Sequence, residues 1–339
     1  MFAQIARAFP DAPIYTALFD ARATGNLFAG RAINVSPLGK LPGVNRYFRA
    51  LAPLYPAAFE AFDLSSFETV VSSTTSWAKG VRVARNAIHV SYVNTVSRFI
   101  FAYDRYTRGF ALRSAARPII KQLARWDYEA AQRPTMLVAN SENVARRIRA
   151  HYGRDAAVLH CPVELDRFTV GSGAGDYFLI ASRLMPYKNV EIAIDACNAA
   201  RVPLVIAGTG PSEAFLRRRA RGTTTTMLGF VDDGRLNELL GNALAAIVCG
   251  EEDFGLVPLE AAAAGTPTIA LRAGGAVETI REHETGEFFA TPTADALQSA
   301  IVRFRRTRYD PRALRQHAEQ FSPSTFIARL QQLVANARR

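Results

Sequence analysis

The feature that most constrains the fold is a regular alternation of apolar runs and amphipathic stretches in the second half of the chain. Each apolar run has five to eight residues, which is the length of a strand buried on both faces. Strands that alternate with stretches of helical length predict a parallel sheet in an α/β layer fold. The predicted strands cover 177–181, 202–207, 224–231, 244–249 and 267–271, and the predicted helices cover 189–200, 211–221, 232–243 and 258–264.

The first half carries a similar but less regular pattern, and 339 residues correspond to about two domains. We therefore predict two Rossmann-like α/β domains, over 1–165 and 166–321. The Gly-rich stretch 168–175 is predicted as a linker. A C-terminal helix over 322–337 is expected to pack back on the first domain. Predicted strands of the first half cover 14–19, 69–74, 88–93, 136–139 and 157–161.

Composition excludes several classes of protein. Apolar residues make up 49% and charged residues 21%, as in a soluble globular chain rather than a disordered one. No run of about 18 apolar residues occurs, and the start lacks the basic and apolar regions of a signal peptide. Cys161, Cys197 and Cys249 are widely spaced, which suits reduced thiols in a cytoplasm rather than a disulfide framework or a zinc site.

Positive charge is concentrated in the first half. Residues 1–160 hold 21 Lys and Arg against 10 Asp and Glu, whereas the remaining residues hold 20 of each. The excess indicates an anionic partner, such as a phosphorylated substrate, an anionic membrane or a nucleic acid. A solvated basic face is the alternative. We do not expect a nucleic acid, because the basic residues form no recognition-helix pattern.

The strongest local signal is CGEEDFGLVPLEAAAAG over 249–265. A predicted strand ends at Cys249, an acidic loop follows, and a helix is predicted to open at Pro258. Backbone N–H groups at a helix N-terminus bind anions such as a diphosphate. Glu252 in the loop and Glu260 in the predicted first helical turn could accept hydrogen bonds from hydroxyls on both sides of a diphosphate, as in a nucleotide sugar. The alternative is a solvated acidic loop.

A second candidate segment, SRLMPYKN over 182–189, follows another predicted strand. Arg183 and Lys188 are cations that could both reach a diphosphate at the carboxyl edge of the sheet. The turn at Gly208 is a weaker signal. No D-x-D motif occurs and no two histidines have metal-ligand spacing, so we expect cations rather than a metal to hold the diphosphate.

Several motifs together resemble a known family. SRLMPYKN, IAGTGP, EDFGLVPLEAAAAGTP, GGAVETI and TGEFF, in this order, resemble the C-terminal domain of the retaining family 4 glycosyltransferases, whose signature E-x7-E runs here from Glu252 to Glu260. FPDAPIYT, HVSYVNTVSRF and CPVELDRF resemble the branch of bacterial mannosyltransferases that make surface polysaccharides. The resemblance covers essentially the whole chain. It implies the GT-B fold, in which two Rossmann-like domains face a cleft and the C-terminal domain binds most of the donor.

The resemblance also implies roles for individual residues. Glu252 would contact the transferred sugar and Glu260 the ribose hydroxyls, while Arg183 and Lys188 would bind the diphosphate. The family retains the anomeric configuration without a metal, and the leaving diphosphate takes the acceptor's proton, so neither metal nor cofactor is expected. The implied catalytic residues are Glu252, Arg183 and Lys188, and the implied donor-binding residues are Glu260, Asp253, Phe254, Gly255, Leu256, Gly208 and Asn94.

Two departures from the family stand out. The mannosyltransferase branch reads H-T-P-x-R where this chain has Asn94-Thr95-Val96-Ser97-Arg98, and an Asn cannot carry a proton at neutral pH. Family members also open with a strand and a Gly-rich turn, whereas Met1 here lies at the start of the helix that follows them. We expect the first domain to lack that strand, through a misassigned start or a truncated gene, with an inactive paralogue as the alternative.

The sequence therefore predicts a cytoplasmic hexosyltransferase that moves mannose from GDP-mannose to a lipid-linked or saccharide acceptor in surface polysaccharide synthesis. A catalytically impaired nucleotide-sugar-binding paralogue and a truncated gene product remain alternatives, and sugar-nucleotide epimerases share the architecture. Segment 98–133 holds eight Lys and Arg interleaved with aromatic and aliphatic residues. This pattern indicates either peripheral binding to the anionic inner face of the membrane or apolar residues that pack on the sheet beside solvated arginines.

Overall fold

The computed structural model describes residues 1–48, 50–103, 116–305 and 308–338. The chain forms two compact units, of which the N-terminal unit comprises Met1–His160 and Phe326–Arg339 and the C-terminal unit comprises Cys161–Thr325. Among the described helices, none combines the length and the apolarity that crossing a bilayer requires.

Strands and helices are numbered in chain order over the described residues. The strands are β1 Ile14–Thr16, β2 Ile33–Val35, β3 Thr69–Thr74, β4 Ile88–Val93, β5 Met136–Ala139, β6 Ala157–Val158, β7 Phe178–Ala181, β8 Leu204–Ala207, β9 Thr225–Gly229, β10 Ala245–Val248, β11 Thr268–Leu271 and β12 Gly286–Phe289. The helices are α1 Phe2–Ala8, α2 Ala21–Thr24, α3 Val44–Tyr47, α4 Tyr55–Glu60, α5 Arg98–Phe101, α6 Arg117–Ala131, α7 Glu142–Tyr152, α8 Val190–Ala200, α9 Glu213–Arg219, α10 Asp233–Asn242, α11 Leu256–Ala263, α12 Ala276–Thr279, α13 Ala294–Phe304, α14 Pro311–Glu319 and α15 Pro323–Ala337.

The C-terminal unit is built on one six-stranded sheet with the strand order β12-β11-β10-β7-β8-β9. Every neighbouring pair in it is parallel. The chain begins at the centre with β7, adds β8 and β9 on one side, and then returns to add β10, β11 and β12 on the other. The direction of winding therefore switches between β7 and β10, which is where open α/β sheets bind ligands.

Helices cover both faces of this sheet, which explains why its inner strands β7, β8 and β10 are apolar along their whole length. Ile247 of β10 packs in a core that contains Ile194 of α8 and Ile301 of α13. The next residue, Val248, points to the opposite face and packs with Ala276 of α12 in a second core. Because successive side chains of a strand alternate between faces, both faces of β10 are buried.

The described residues of the N-terminal unit form two separate parallel sheets. One has the order β3-β4-β5-β6, and the other pairs β1 with β2. Strand β4 is buried along nearly its whole length, whereas most of β3 is only half-buried. The edge of β3 that faces away from β4 therefore borders a more open region.

The predicted α/β class and all ten predicted strands are confirmed, although several strands are shorter than predicted. The segment 168–175 is not a linker, because it lies within the C-terminal unit and packs against the end of α10. A Cβ on Gly171 would lie 2.0 Å from the carbonyl oxygen of Gly241, so a close approach of two backbones explains this glycine. Helix α11 begins at Leu256 rather than at Pro258, which places Glu260 in its second turn.

Candidate active site

The candidate site lies at the carboxyl ends of β7 and β10. Because these two strands are parallel neighbours, the segments that follow them, 182–189 and 249–255, emerge at the same edge of the sheet. Ser182, Lys188 and Glu252 line a small cavity of about 20 Å³ there. The two candidate segments thus lie together at one edge of the sheet, as the sequence analysis expects.

An ion pair joins the two segments. Lys188 Nζ donates to Glu252 Oε1, and both side chains are largely buried, with 15% and 21% of their surfaces exposed. The Lys188 ammonium also lies 6.0 Å from the centre of the Tyr187 ring. Gly250 permits this approach, because a Cβ there would lie 2.8 Å from Lys188 Cα. A cation and a carboxylate are thereby fixed side by side at the centre of the sheet.

Ser182 adds a hydroxyl group whose partner is not found among the described residues. Its Oγ is buried and makes no hydrogen bond there. A buried hydroxyl without a partner is costly, so it indicates a place where a ligand oxygen or a water molecule completes the site. Sequence reasoning did not single out this residue, although it begins the motif SRLMPYKN.

Gly208 supports the same segment from the neighbouring strand β8. Its φ of +137° is a conformation that residues with a Cβ rarely adopt, and a Cβ there would lie 1.9 Å from the carbonyl oxygen of Ser182. Gly210 lies similarly close to the carbonyl oxygen of Leu184. The glycines of the IAGTGP turn are therefore required by close backbone packing beneath the site. Arg183, between these two contact points, is exposed.

The acidic loop is held against a Gly-Gly turn. Gly275 N donates to the carbonyl oxygen of Glu252 at 2.9 Å. A Cβ on Gly274 would lie 2.2 Å from that same oxygen, and Gly274 has a φ of +64°. Asp253 is half-buried beside it, while Phe254 is buried with its ring 6.1 Å from that of Phe321. The backbone of the loop is thus fixed by its neighbours.

Helix α11 starts directly after this loop. Its N-cap residue, Gly255, has a φ of +97°, and Leu256 at the first helical position is 39% exposed. The amides of the first helical turn carry the positive end of the helix dipole. The predicted donor-binding residues Gly255 and Leu256 therefore lie at the observed start of an α-helix beside the Lys188–Glu252 pair.

Glu260 lies one turn into α11 and is partly exposed. The pKa of its carboxyl group is raised above the ordinary value, mainly by burial. The charge of Arg167 lowers this pKa, and the charge of Asp233 raises it further. Arg167 and Asp233 are themselves paired at 2.6 Å. A carboxylate in such surroundings gains from hydroxyl groups that donate hydrogen bonds to it.

Asn94 lies in the N-terminal unit, directly after β4. Its side-chain amide donates to Ser73 Oγ at 3.0 Å and to the carbonyl oxygen of Thr74 at 3.2 Å. The backbone carbonyl oxygen of Asn94 accepts a hydrogen bond from the side-chain amide of Asn140. The amide hydrogens of Asn94 thus tie together the ends of β3 and β4.

A group of possible metal ligands occurs elsewhere in the C-terminal unit. Within the described residues, Glu282, His283 and Glu287 bring three ligand atoms within 4.8 Å of one another. This group lies at the outermost strand, β12, and not at the central pair β7 and β10. Glu282 is already paired with Arg272, and Glu287 accepts hydrogen bonds from His283 and Tyr309.

Comparison with known proteins assigns the unit that carries the candidate site. Residues 164–321 match the family model of glycosyl transferases group 1. The C-terminal unit is a group 1 glycosyltransferase domain. The five motifs that resembled the C-terminal domain of the retaining glycosyltransferases, from SRLMPYKN to TGEFF, all lie within the matched residues.

Curated relatives of the glycosyltransferase domain include mannosyltransferases. A GDP-mannose-dependent α-(1-6)-phosphatidylinositol dimannoside mannosyltransferase of Mycobacterium tuberculosis (strain ATCC 25177 / H37Ra) is 35% identical over 147 residues, which are 41% of this chain and 39% of that protein. The O-antigen chain mannosyltransferase C of Escherichia coli is 30% identical over 173 residues, 48% of this chain and 46% of that protein. These alignments span less than half the length of either relative.

The fold of the whole chain is also found in solved glycosyltransferase structures. Anabaena HepE, solved in complex with UDP and glucose, matches with a TM-score of 0.70 at 16% identity, over 98% of this chain and 94% of that chain. Such low identity shows the fold alone. The predicted GT-B architecture of two Rossmann-like units is therefore confirmed, with the glycosyltransferase domain as the second of them.

Proposed function

We propose that this protein is a retaining, metal-independent glycosyltransferase that transfers mannose from GDP-mannose to a lipid-linked or saccharide acceptor. One observation carries the proposal: the Lys188–Glu252 pair stands at the winding switch of the group 1 domain, beside the N-terminus of α11. A cation, a carboxylate and a helix N-terminus at one point suit a ligand that is both a diphosphate and a polyol.

The choice of mannose and GDP rests on the relatives. Both the mycobacterial and the Escherichia coli relative are named as mannosyltransferases, and the first is named as GDP-mannose-dependent. Their acceptors, a phosphatidylinositol mannoside and an O-antigen chain by name, support a lipid-linked or saccharide acceptor in surface polysaccharide synthesis. HepE was solved with UDP and glucose, so UDP-glucose is the natural comparison donor.

The proposed reaction breaks the bond between the sugar anomeric carbon and the diphosphate oxygen. An acceptor hydroxyl oxygen then bonds to that carbon on the same face, and its proton passes to the departing diphosphate. Negative charge therefore grows on the diphosphate, where Lys188, Arg183 and the amides of Phe254, Gly255 and Leu256 would stabilise it. Glu252 would hold a sugar hydroxyl, and Glu260 would accept hydrogen bonds from the ribose.

No metal enters this scheme, because side-chain cations and a helix N-terminus supply the positive charge. The Glu282, His283 and Glu287 group lies at the outer strand, so it does not offer a metal to the same diphosphate. We accordingly propose that transfer is unaffected by a chelator.

The test combines donor binding with product analysis. The protein is screened by thermal shift against GDP-mannose, GDP-glucose and UDP-glucose, because a ligand that binds the folded state raises the melting temperature. We expect GDP-mannose to give the largest rise and Lys188→Ala to remove it, whereas Arg218→Ala, an exposed arginine on α9, retains it. Proton NMR of the product should show the donor's anomeric configuration, with and without EDTA.

Each outcome separates the alternatives. Binding without transfer to any saccharide or lipid-linked acceptor would favour a nucleotide-sugar-binding protein, and interconversion of the donor without an acceptor would indicate an epimerase. Loss of transfer in EDTA that Mg²⁺ or Mn²⁺ restores would refute metal independence. An inverted product would refute the retaining mechanism.

We further propose that the N-terminal unit binds anionic membranes through α6. Arg117, Lys121 and Arg125 repeat every four residues along one face of this helix and are all exposed, as is Tyr128 on the next turn. The apolar residues Ile100 and Leu123 are buried in the unit, as the solvated-arginine alternative requires. Residues 104–115, which carry Arg105, Arg108 and Arg113 of the predicted membrane segment, lie outside the described residues.

Vesicle sedimentation distinguishes the two interpretations of this segment. We expect the protein to sediment with phosphatidylglycerol vesicles at low salt and not with phosphatidylcholine vesicles, since each cation near an anionic surface adds about 1 kcal/mol. R117E/K121E should weaken sedimentation without changing GDP-mannose binding. If this variant and the parent sediment equally, Arg117 and Lys121 are solvated surface charges and do not bind the membrane.

A further inference from the structure

Three polar side chains meet at the small cavity between the ends of β7 and β10. Ser182, Lys188 and Glu252 all line it, and apolar residues such as Val190 and Ile247 form part of the remaining wall. The polar groups are therefore held together in surroundings where an unmet hydrogen bond is costly.

The backbone segments that carry these side chains are fixed by hydrogen bonds. Ser182 N donates to the carbonyl oxygen of Ala207 at 3.0 Å, and Lys188 N donates to that of Met185 at 3.0 Å. The carbonyl oxygen of Glu252 is held by the Gly-Gly turn. Any rearrangement that a ligand causes here is therefore one of side chains.

The proposed reaction places two demands on one ammonium group. Lys188 Nζ donates to Glu252 Oε1, whereas the proposed transfer needs the charge of Lys188 at the diphosphate. The Glu252 side chain is only 21% exposed, so bulk water does not readily replace the ammonium as its partner. A largely buried carboxylate that loses a donor is destabilised, and it then no longer stays in the position from which it is proposed to hold a sugar hydroxyl.

Ser182 supplies a second donor at this point. A hydroxyl group can donate one hydrogen bond, and its hydrogen rotates to suit the partner. The Oγ atom of Ser182 is buried and has no hydrogen-bond partner among the described residues. Because this donor is neutral, it can hold a carboxylate without adding to or drawing on the charge that the diphosphate needs.

The volume of the cavity indicates what connects Ser182 to Glu252. At about 20 Å³ the cavity has room for one water molecule, which needs roughly 10–15 Å³ by this measure, and it is too small for a phosphate group or a sugar. Ser182, Lys188 and Glu252 would give this water three polar partners, which is typical of a buried water. A hydrogen bond through such a water is nearly as favourable as a direct one.

We propose that Ser182 is a positioning residue for the sugar transfer: through one ordered water molecule in this cavity, its hydroxyl holds the Glu252 carboxylate in place while Lys188 binds the diphosphate. This role rests on the proposed function, from which the tasks of Lys188 and Glu252 are taken. Ser182 itself touches neither the sugar nor the diphosphate, since its Oγ is enclosed.

Two other roles of Ser182 would give different results. A serine that binds the diphosphate directly would change the GDP affinity, and a serine that only packs the sheet would change the stability. A serine that positions Glu252 changes the rate of transfer, and it does so only while residue 252 is a carboxylate.

The test is a double-mutant cycle on the full chain. Ser182→Ala, Glu252→Gln and the double variant are compared with the parent for kcat and KM with GDP-mannose, for GDP affinity by calorimetry and for melting temperature. We expect Ser182→Ala to lower kcat about tenfold, while KM, GDP affinity and melting temperature stay close to those of the parent. In the Glu252→Gln background the same change should lower kcat by less than about twofold, because the carboxylate on which Ser182 acts is absent. The matched control Ser299→Ala, at an exposed serine of α13, should equal the parent in every measurement.

Crystal structures of the parent and of Ser182→Ala, with and without GDP, give a readout that does not depend on transfer. We expect the parent to show one water within hydrogen-bond distance of both Ser182 Oγ and the Glu252 carboxylate, and the variant to lack it or hold it elsewhere.

Several results would overturn this role of Ser182. They are an equally large loss of kcat in both backgrounds, a kcat unchanged in Ser182→Ala, a weaker GDP affinity or a lower melting temperature in Ser182→Ala but not in Ser299→Ala, and Ser182 Oγ bonded to the diphosphate itself. A parent that transfers no sugar to any acceptor would instead contradict the proposed function, and the bridging water would still show whether Ser182 holds Glu252.

Discussion

The N-terminal unit contains a buried ion pair whose contribution to stability can be measured directly. Lys79 and Asp127 are 1% and 0% exposed, and Lys79 Nζ donates to Asp127 Oδ1. Asp127 also accepts hydrogen bonds from Ser97 Oγ at 3.1 Å and from the Tyr152 hydroxyl at 2.6 Å. Burial lowers the pKa of Lys79, and the Asp127 charge opposes this effect. The lysine therefore depends on Asp127 to remain charged in the interior.

Asp127→Asn keeps the shape of the side chain and an acceptor for Tyr152 but removes the negative charge. Because the variant leaves a buried ammonium without a counter-ion, we expect a loss of about 3–5 kcal/mol in the free energy of unfolding. With an m-value of about 2 kcal/mol/M, the urea midpoint should fall by about 1.5–2.5 M. Adding Lys79→Met removes the uncompensated charge, so the double variant should be more stable than Asp127→Asn alone.

Tryptophan fluorescence reports this transition selectively. The chain has two tryptophans, and both lie beside Lys79 in the N-terminal unit: the Trp126 ring is 5.9 Å from its ammonium, and the rings of Trp77 and Trp126 are 5.7 Å apart. A loss of less than about 1 kcal/mol in Asp127→Asn would refute the reasoning. So would a double variant less stable than the single one.

Three further predictions concern acid stability and the candidate site. Burial raises the pKa of Glu60, but hydrogen bonds from neighbouring groups outweigh this effect and lower the pKa from 4.5 to about 2. The carboxylate therefore stabilises the fold above pH 4.5, and this stabilisation is lost as the pH falls toward 2. In Glu60→Gln, stability followed by fluorescence should depend less on pH between these two values. Glu252→Gln should slow mannosyl transfer at least about tenfold, while its GDP affinity measured by calorimetry stays equal or rises. Glu260→Ala should instead weaken GDP binding by about 1.5–3 kcal/mol. Gly208→Ala should reduce both the melting temperature and GDP binding, because its Cβ meets a carbonyl oxygen at 1.9 Å. Gly234→Ala, a helical position with no contact closer than 3.5 Å, should lower neither.

The strands were predictable because they are short apolar runs between helical stretches, a local pattern that tertiary contacts reinforce. Strands β2 and β12 were not predicted. Strand β2 has only three residues, none of them buried, and β12 contains the charged residue Glu287, whose burial depends on a hydrogen bond from Tyr309. Such strands are defined by pairing with a distant segment rather than by their own composition.

In the candidate site, too, local motifs were predictable from the sequence, whereas contacts between distant segments were not. Glu252 and Lys188 were recognised from their motifs, but their direct pairing joins residues 64 positions apart and follows from the parallel neighbours β7 and β10. The hydroxyl of Ser182, which has no hydrogen-bond partner among the described residues, has no sequence signal, because serine is common after strands. Lys79 and Asp127 look like ordinary surface charges in the sequence, and only their burial together reveals the pair.

The central claim is that the middle of the C-terminal sheet binds the diphosphate of a nucleotide sugar through Lys188. Isothermal titration of GDP against the parent, Lys188→Ala and the control Arg218→Ala tests it directly. A charge-assisted hydrogen bond contributes about 1.5–3 kcal/mol, so Lys188→Ala should bind GDP roughly 10- to 150-fold more weakly while Arg218→Ala matches the parent. Equal affinity of Lys188→Ala and the parent, or an equal loss in both variants, would contradict the account.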